Sequence, residues 1–372
     1  WWSRCSPETA ARLIEGNIPE KLAEALCDRL RVLDYVPEVQ EFVADLCGPQ
    51  RPFGQAKVLN SELGSRLFRS FVEVNPRATA WAVATAFEGW SIDDLLNVGP
   101  GRRNLVWALQ NLCFWKDTFP IAAKVLLHLA AAEKESWSNN ATGIFLGFFK
   151  LVLSGTEAEP TARFELADYA LAHEDDRCRL LGVRALGSAL RTGQFIGTRG
   201  PEQQGSRFPH EEWRPKLHKD AFEYWAAALS RLTRIALEDD ELSLMAQNEI
   251  AGQIRGLVLA GRVDDLDKAV APIAAKLGGF WPMALDKVQT CIRHDLPGLP
   301  PIGQEMLNKW FDLLQPQSFG QRLRLRVSEA PWDHEQDASG NFVDVAAKNS
   351  ETLAEECVQR IDDFLPYLPQ IL

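Results

Sequence analysis

The densest collection of chemically capable side chains lies in one polar stretch, residues 193–215, GQFIGTRGPEQQGSRFPHEEWRP. It holds Arg199, Glu202, Arg207, His210, Glu212, Trp213 and Arg214. An imidazole and a carboxylate two positions apart can trade protons with a substrate as general acid and base. An enzyme built there requires a concave pocket in which His210 or Glu212 has a perturbed pKa. The same stretch carries arginine and tryptophan, the residue types that anchor protein interfaces. A packed, partly buried loop, or a partner-binding surface anchored by these residues, is the reading that the composition favours. The segment GPEQQGSR looks superficially like a phosphate loop, but a Walker loop ends in GK[ST] after a buried strand. Here Ser206-Arg207 stands in that place and the preceding run is helical.

Other reactive types are dispersed. Paired carboxylates occur at Asp93-Asp94, Asp175-Asp176, Asp239-Asp240 and Asp264-Asp265. Such pairs can do acid/base or metal work, but each opens a helical run, where a carboxylate caps free amides and faces the positive end of the dipole. Cys5, Cys27, Cys47, Cys113, Cys178, Cys291 and Cys357 form no CxxC pair and no Cys–His metal spacing. They read as reduced core thiols of a cytoplasmic protein. The histidines are equally scattered and HExxH is absent. Trp332, Asp333, His334 and Asp337 fit no standard metal motif. No metal or other cofactor is expected.

The elements that must position these groups are helices. From Arg102 to Arg191 apolar faces follow one another with short polar joints. Leu105, Ala108, Leu109, Leu112 and Trp115 fall on one side of a helix and require a partner surface. Thr118 is the expected N-cap of the next run, with Pro120 in its first turn. That run, Ile121 to Ala132, is apolar on nearly every side and is expected to be buried between neighbours. Gly143 and Gly147, one turn apart, predict close helix–helix approach. Upstream, helices are expected over 7–15, 19–33 and 38–46, then from SELGSRLF, from Asn75-Pro76 (with Trp81, Val83 and Phe87) and after the cap Ser91. Downstream they run from Lys216 onward, with Pro272 kinking or re-capping one of them. GQRLRLRVSEAP alternates at period two, a strand signal, and GNFVDVAA is its expected partner in a β-hairpin. Ser350 is the expected cap of a last helix with Leu353, Cys357, Ile361 and Leu365 on one face.

The 372 residues are 46% hydrophobic and 24% charged, an ordinary globular balance. The net charge of −11 disfavours nucleic acid as partner. No apolar run of about 20 residues predicts a membrane span. The chain opens WWSRCSPE and stops in an apolar helix, as expected of a piece of a longer polypeptide.

The reading is therefore all-α: a degenerate HEAT/TPR-like helical-repeat array with a small β-hairpin insertion near the C-terminus. The expected parts are an N-terminal helical region (1–100), a central body (101–315), the hairpin (316–348) and a last helix (349–372). Three runs, WALQNLCFWKDTFPIAAKVLLHLA, then NNATGIFLGFF with TEAEPTARF, then GPEQQGSRFPHEEWRPK, carry a family resemblance. They are similar to the helical C-terminal region of large bacterial STAND-type NTPases and related antiviral defence proteins, over about residues 55–350 and including PWDHE…GNFVD. The resemblance implies a non-catalytic sensor that binds a protein ligand, often viral, with ATPase, effector and oligomerising domains elsewhere in the polypeptide. Residues carried as partner-binding are Arg199, Glu202, Arg207, His210, Trp213, Arg214 and Trp332. A structural scaffold arm, or an enzyme sited at loop 193–215, are the alternatives.

Overall fold

The structure, a computed structural model, describes residues 19–193, 195, 203–208, 211–328, 334–336 and 342–367. The helix expected over 7–15 lies outside them. Two compact units divide the chain, one up to Gln253 and the other from Ile254.

Among its described residues, the regular elements of the first unit are all helices. Its helices are α1 (Glu20–Arg31), α2 (Pro37–Leu46), α3 (Ala56–Leu59), α4 (Glu62–Val74), α5 (Pro76–Ala86) and α6 (Ile92–Leu95). They continue with α7 (Arg102–Phe114), α8 (Phe119–Ala131), α9 (Ala141–Gly147), α10 (Pro160–Leu171), α11 (Asp176–Ala189) and α12 (His218–Leu237). Helix α13 (Glu241–Leu259) contains the division between the units. Local chemistry explains many of the starts. Ser61 caps α4 through the Gly64 amide, and Asn75 caps α5 with Pro76 at its first position. Ser91 and Asp94 form a reciprocal capping box on α6. Asp175 accepts from the Arg177 amide, and Asp240 from those of Leu242 and Ser243. Three of the paired carboxylates thus supply caps, while Asp264-Asp265 lies in a first turn without a side-chain cap, Asp265 pairing with Arg262.

Packing follows the apolar stripes. Helix α4 lies between α1 and α7, while α8 lies among α5, α7, α9 and α11. Leu105, Ala108, Leu109 and Leu112 of α7 are fully buried, as are Ala122, Ala123, Leu126, Leu127 and Leu129 of α8. On α5, Val83 is buried but Trp81 is exposed. Each fully buried leucine removes apolar surface worth roughly 2 kcal/mol.

The second unit carries α14 (Val263–Lys276), α15 (Pro282–His294), α16 (Pro301–Leu314), α17 (Phe319–Ser328), α18 (Val345–Gln359) and α19 (Ile361–Phe364). Helix α16 packs on α14 and α15. Its Trp310 is fully buried and donates its indole N–H to Asp267 at 2.9 Å, while Lys309 closes on the same carboxylate. Helix α14 runs through Pro272 as one helix.

Four expectations are corrected. Residues 319–328, expected as the first strand of a hairpin, are helix α17; the alternation Leu323, Leu325, Val327 is also compatible with a helix, and Ser318 accepts from the Gln321 amide at its start. What pairs instead is a ladder of three residues on each side, β1 (His334–Gln336) against β2 (Phe342–Asp344). That is too little to form the hairpin insertion expected over 316–348. Thr118 does not cap α8 with its side chain; its hydroxyl donates to the Leu112 carbonyl at 2.5 Å and closes the end of α7. The last long helix begins at Val345, so Ser350 lies inside it, and its expected apolar face leaves Ile361 and Leu365 about half exposed. Finally, Gly143 makes its close approach to the Ser138 carbonyl of its own preceding turn, and Gly147 has open space around it.

A close backbone contact between separate segments occurs at Gly101, whose amide donates to the Asn60 carbonyl at 2.9 Å. A Cβ there meets the Leu59 carbonyl oxygen at 2.4 Å. Gly101→Ala is expected to cost about 2 kcal/mol in urea unfolding, since backbone must move. Gly147→Ala, in open space at the end of α9, is expected to be neutral or to gain up to about 1 kcal/mol. Equal midpoints for the two variants would refute the close approach.

Candidate functional site

Two joints of the first unit meet at the sequence-predicted loop. One runs from Phe148 to Glu159, between α9 and α10; the other is the described part of 203–217 ahead of α12. The segment 151–155 is sharply turned: Leu153 has φ 57° and Gly155 φ 67°. A non-glycine residue in that region is strained. Glu212 holds the turn, accepting from the Leu153 amide at 3.3 Å and the Gly155 amide at 2.9 Å. Arg214 closes on the same carboxylate at 2.7 Å. Next to it, the Trp213 amide donates to the Thr156 carbonyl at 2.8 Å.

Beneath this crossing lies Arg163, fully buried. It donates to the carbonyls of Ala158 at 2.8 Å and Lys150 at 3.1 Å, and its guanidinium sits 5.3 Å from the centre of the Trp213 ring. The Trp213 ring in turn stacks on Tyr224 of α12, whose hydroxyl donates to the Phe149 carbonyl. Burial pushes the Arg163 pKa down and that of Tyr224 up, the ordinary effect of desolvating a charge.

The upstream arm of the loop is fastened to α1, α4 and α7. The Gly205 amide donates to Glu73 and the Ser206 amide to the buried Asp34. Arg207 donates to the carbonyls of Glu73 and Val74 at the end of α4, lies 3.6 Å from Asp34, and stacks over Trp115. Gln204, also buried, accepts from the Trp115 indole and donates to the Asn111 carbonyl. A polar cleft of about 370 Å³ opens beside it; of the arginines that line it, Arg31 pairs with Glu73 and Arg66 with Glu24, while Arg69 lies over the Trp107 ring.

On the downstream side the crossing borders a wide groove of about 1130 Å³, walled by α10 and α12. Phe164, Trp213 and Tyr224 form its apolar floor. Its basic side chains are Lys116, Arg214, Lys216 and Arg231, and Arg231 is held by both oxygens of Asp168. Glu212 and Asp220 are occupied by backbone amides. Glu159, Glu165 and Glu211 remain as exposed carboxylates on the rim.

The structure therefore separates the sequence-predicted residues. Arg207 is a structural tie, Trp213 is half-buried packing at the groove wall, and Arg214 is an exposed partner of Glu212. Arg199, Glu202, His210 and Trp332 lie outside the described residues. With both oxygens engaged by backbone amides and Arg214, Glu212 has the bonding of a structural carboxylate. His128, His173 and Cys178, read as dispersed, are brought together by α8, α10 and α11: one donor atom from each lies within 4.8 Å of the others. His128 and Cys178 are 50 positions apart, and only the packing of α8 on α11 makes them neighbours. Burial holds the His128 pKa down at about 4, aided by His173 and Lys124 and opposed by Asp175, and pushes the Cys178 thiol up to about 12.

No protein family, curated protein or solved structure matches the chain.

Two stability outcomes follow from the crossing. Arg207→Ala strands the carbonyls of Glu73 and Val74 and the buried Asp34, and is expected to cost about 2–3 kcal/mol in chemical unfolding. Arg214→Ala, on the surface, is expected to stay within about 0.5 kcal/mol; the reverse order would overturn the assignment of Arg207 as a tie. Leu153→Gly relieves the left-handed strain and is expected to raise stability by about 1 kcal/mol. A lowered unfolding midpoint for that variant would show that the turn is not strained.

Proposed function

We propose that this chain is a non-catalytic, protein-binding helical-repeat region of HEAT/TPR-like character. In this reading it is the ligand-sensing part of a larger bacterial defence NTPase, the kind of protein its sequence resembles. The observation that carries the proposal is the groove between α10 and α12, with an aromatic floor and a rim on which Glu159, Glu165 and Glu211 are exposed. Its size suits an extended or helical segment of a partner rather than a small substrate, since small-molecule sites are more enclosed and have converging polar groups. The aromatic floor supplies the anchor that interface hot spots use. The rim carboxylates select a partner segment rich in lysine or arginine and speed its encounter. Ligand binding in this reading covers the half-buried Trp213 ring and leaves the internal ties of the 203–214 strap in place.

A second reading, a scaffold arm, is favoured by that strap: its bonds to Glu73, Asp34 and Asn111 stiffen the unit. The two separate by experiment. The chain is immobilised and exposed to lysates of virus-infected and uninfected bacteria. The sensor reading expects an infection-specific partner whose retention falls by about tenfold or more with Glu165→Lys plus Glu211→Lys. The control Asp312→Lys, far along the sequence in the second unit, is expected to bind normally. A partner held equally by the groove variant, or none from either lysate, overturns the groove as the binding site.

A further inference from the structure

Where α8, α10 and α11 pack together, an otherwise apolar interface encloses reactive side chains from three separate segments. His128 lies in the last turn of α8, Tyr169 in the last turn of α10, and Cys178 in the first turn of α11. His173 sits in the joint between α10 and α11. Cys178 is fully buried, and the two histidines are partly so. The imidazole rings face each other edge to face with centroids 5.2 Å apart. Their donor nitrogens and the Cys178 sulfur lie within 4.8 Å of one another. Among the described residues this is the group of His, Cys, Asp and Glu that reaches metal-ligand proximity.

We propose that His128, His173 and Cys178 bind a zinc ion. Two imidazoles and one thiolate are a borderline-soft donor set of the kind that zinc takes. Around a tetrahedral zinc, neighbouring ligand atoms stand roughly 3.3–3.6 Å apart. Atoms now up to 4.8 Å apart reach that spacing by each moving well under ~1 Å, within the range of side-chain rotation. Two polar groups border the histidines. The Tyr169 hydroxyl lies 3.4 Å from Nε2 of His128, and the Asp175 amide donates to Nδ1 of His173 at 3.0 Å. Because that bond places the proton of the neutral ring on Nε2, zinc entry costs the Asp175 hydrogen bond, which three coordinate bonds outweigh. The Asp175 carboxylate is engaged by the Arg177 backbone amide and guanidinium, so it is not the fourth ligand. A water completes the shell. On binding, the Cys178 thiol gives up one proton to solvent and the sulfur–zinc bond forms in its place; nothing is oxidised or reduced.

Such an ion links the end of α8 to both sides of the α10–α11 joint, so its occupancy stabilises the fold directly. The test uses the whole chain, stripped with a chelator, and cobalt(II) alone as the first probe. The expected result is one equivalent of cobalt bound, with a thiolate-to-cobalt charge-transfer band in the near ultraviolet and visible bands of tetrahedral intensity. Zinc then displaces cobalt and raises the thermal midpoint of the stripped protein. Cys178→Ser is expected to abolish the charge-transfer band, and Cys113→Ser to keep it. His173→Asn, in the more accessible joint, is expected to weaken binding about a hundredfold or more. It also serves as the second variant should Cys178→Ser fail to fold, as judged by circular dichroism. A stoichiometric band in the wild type that is lost in every folded ligand variant supports the site. Absence of a band in the wild type, or its persistence in a folded Cys178→Ser or His173→Asn protein, overturns it.

Discussion

A charge that cannot leave the interior governs the architecture of the first unit. Arg163 is fully buried, and a bare guanidinium in an apolar core is costly unless its hydrogens are taken. The fold answers by bending two joints around it. Lys150 and Ala158 turn their carbonyls inward, and Trp213 lays its ring against the cation. The bend in 151–155 then forces Leu153 into a left-handed conformation, and Glu212 is the carboxylate that receives the exposed amides. Arg102 does similar work in α7. Also buried, it donates to Leu95, Leu129 and Ala132, the carbonyls left over where α6 and α8 end. Helix ends always leave such carbonyls, and when several ends are buried together a long cation is an economical donor for all of them.

The consequence for function is that the polar strap before α12 has two faces with different roles. Its inward face is consumed by structure. Gly205, Ser206, Arg207 and Gln204 each terminate on a backbone group or buried acid of the N-terminal helices. Its outward face, with Glu211 and Arg214, borders the groove over Phe164 and Tyr224. Rigidity on one side is what lets the other side present a defined surface, because a binding surface that need not be ordered on contact loses less affinity to entropy.

The cluster of His128, His173 and Cys178 and the groove lie on opposite ends of α10: Phe164 and Glu165 in its first half line the groove, while Tyr169 and the joint after Leu171 border the cluster. A link at the joint therefore stiffens the helix that walls the groove, and the two features share one element.

The sequence by itself determined the class of fold and most helix starts. The capping pairs Ser61–Gly64, Asn75–Pro76 and Ser91–Asp94 are local, and so is the burial of the Leu105–Leu112 stripe, since i, i+3 and i, i+4 spacing depends on nothing beyond the helix. It also marked 203–214 as unusual. Local pattern misled it where two periods coincide, as in GQRLRLRV, whose alternating leucines suit a helix as well as a strand and were resolved by the N-terminal turn at Ser318. Only the tertiary structure decided what the marked residues do. Arg207 and Arg214 are of one type, seven positions apart, yet one meets the carbonyls at the end of α4 and the other faces solvent. Arg163 in TARFELADYA resembles any surface arginine until two joints close over it. His128 and Cys178 are 50 residues apart with nothing in the spacing to connect them. The contacts of Arg207 with the end of α4, of Trp213 with Arg163 and of His128 with Cys178 each span tens of residues, and such contacts arise from how helices pack, which the periodicity of any single helix does not specify.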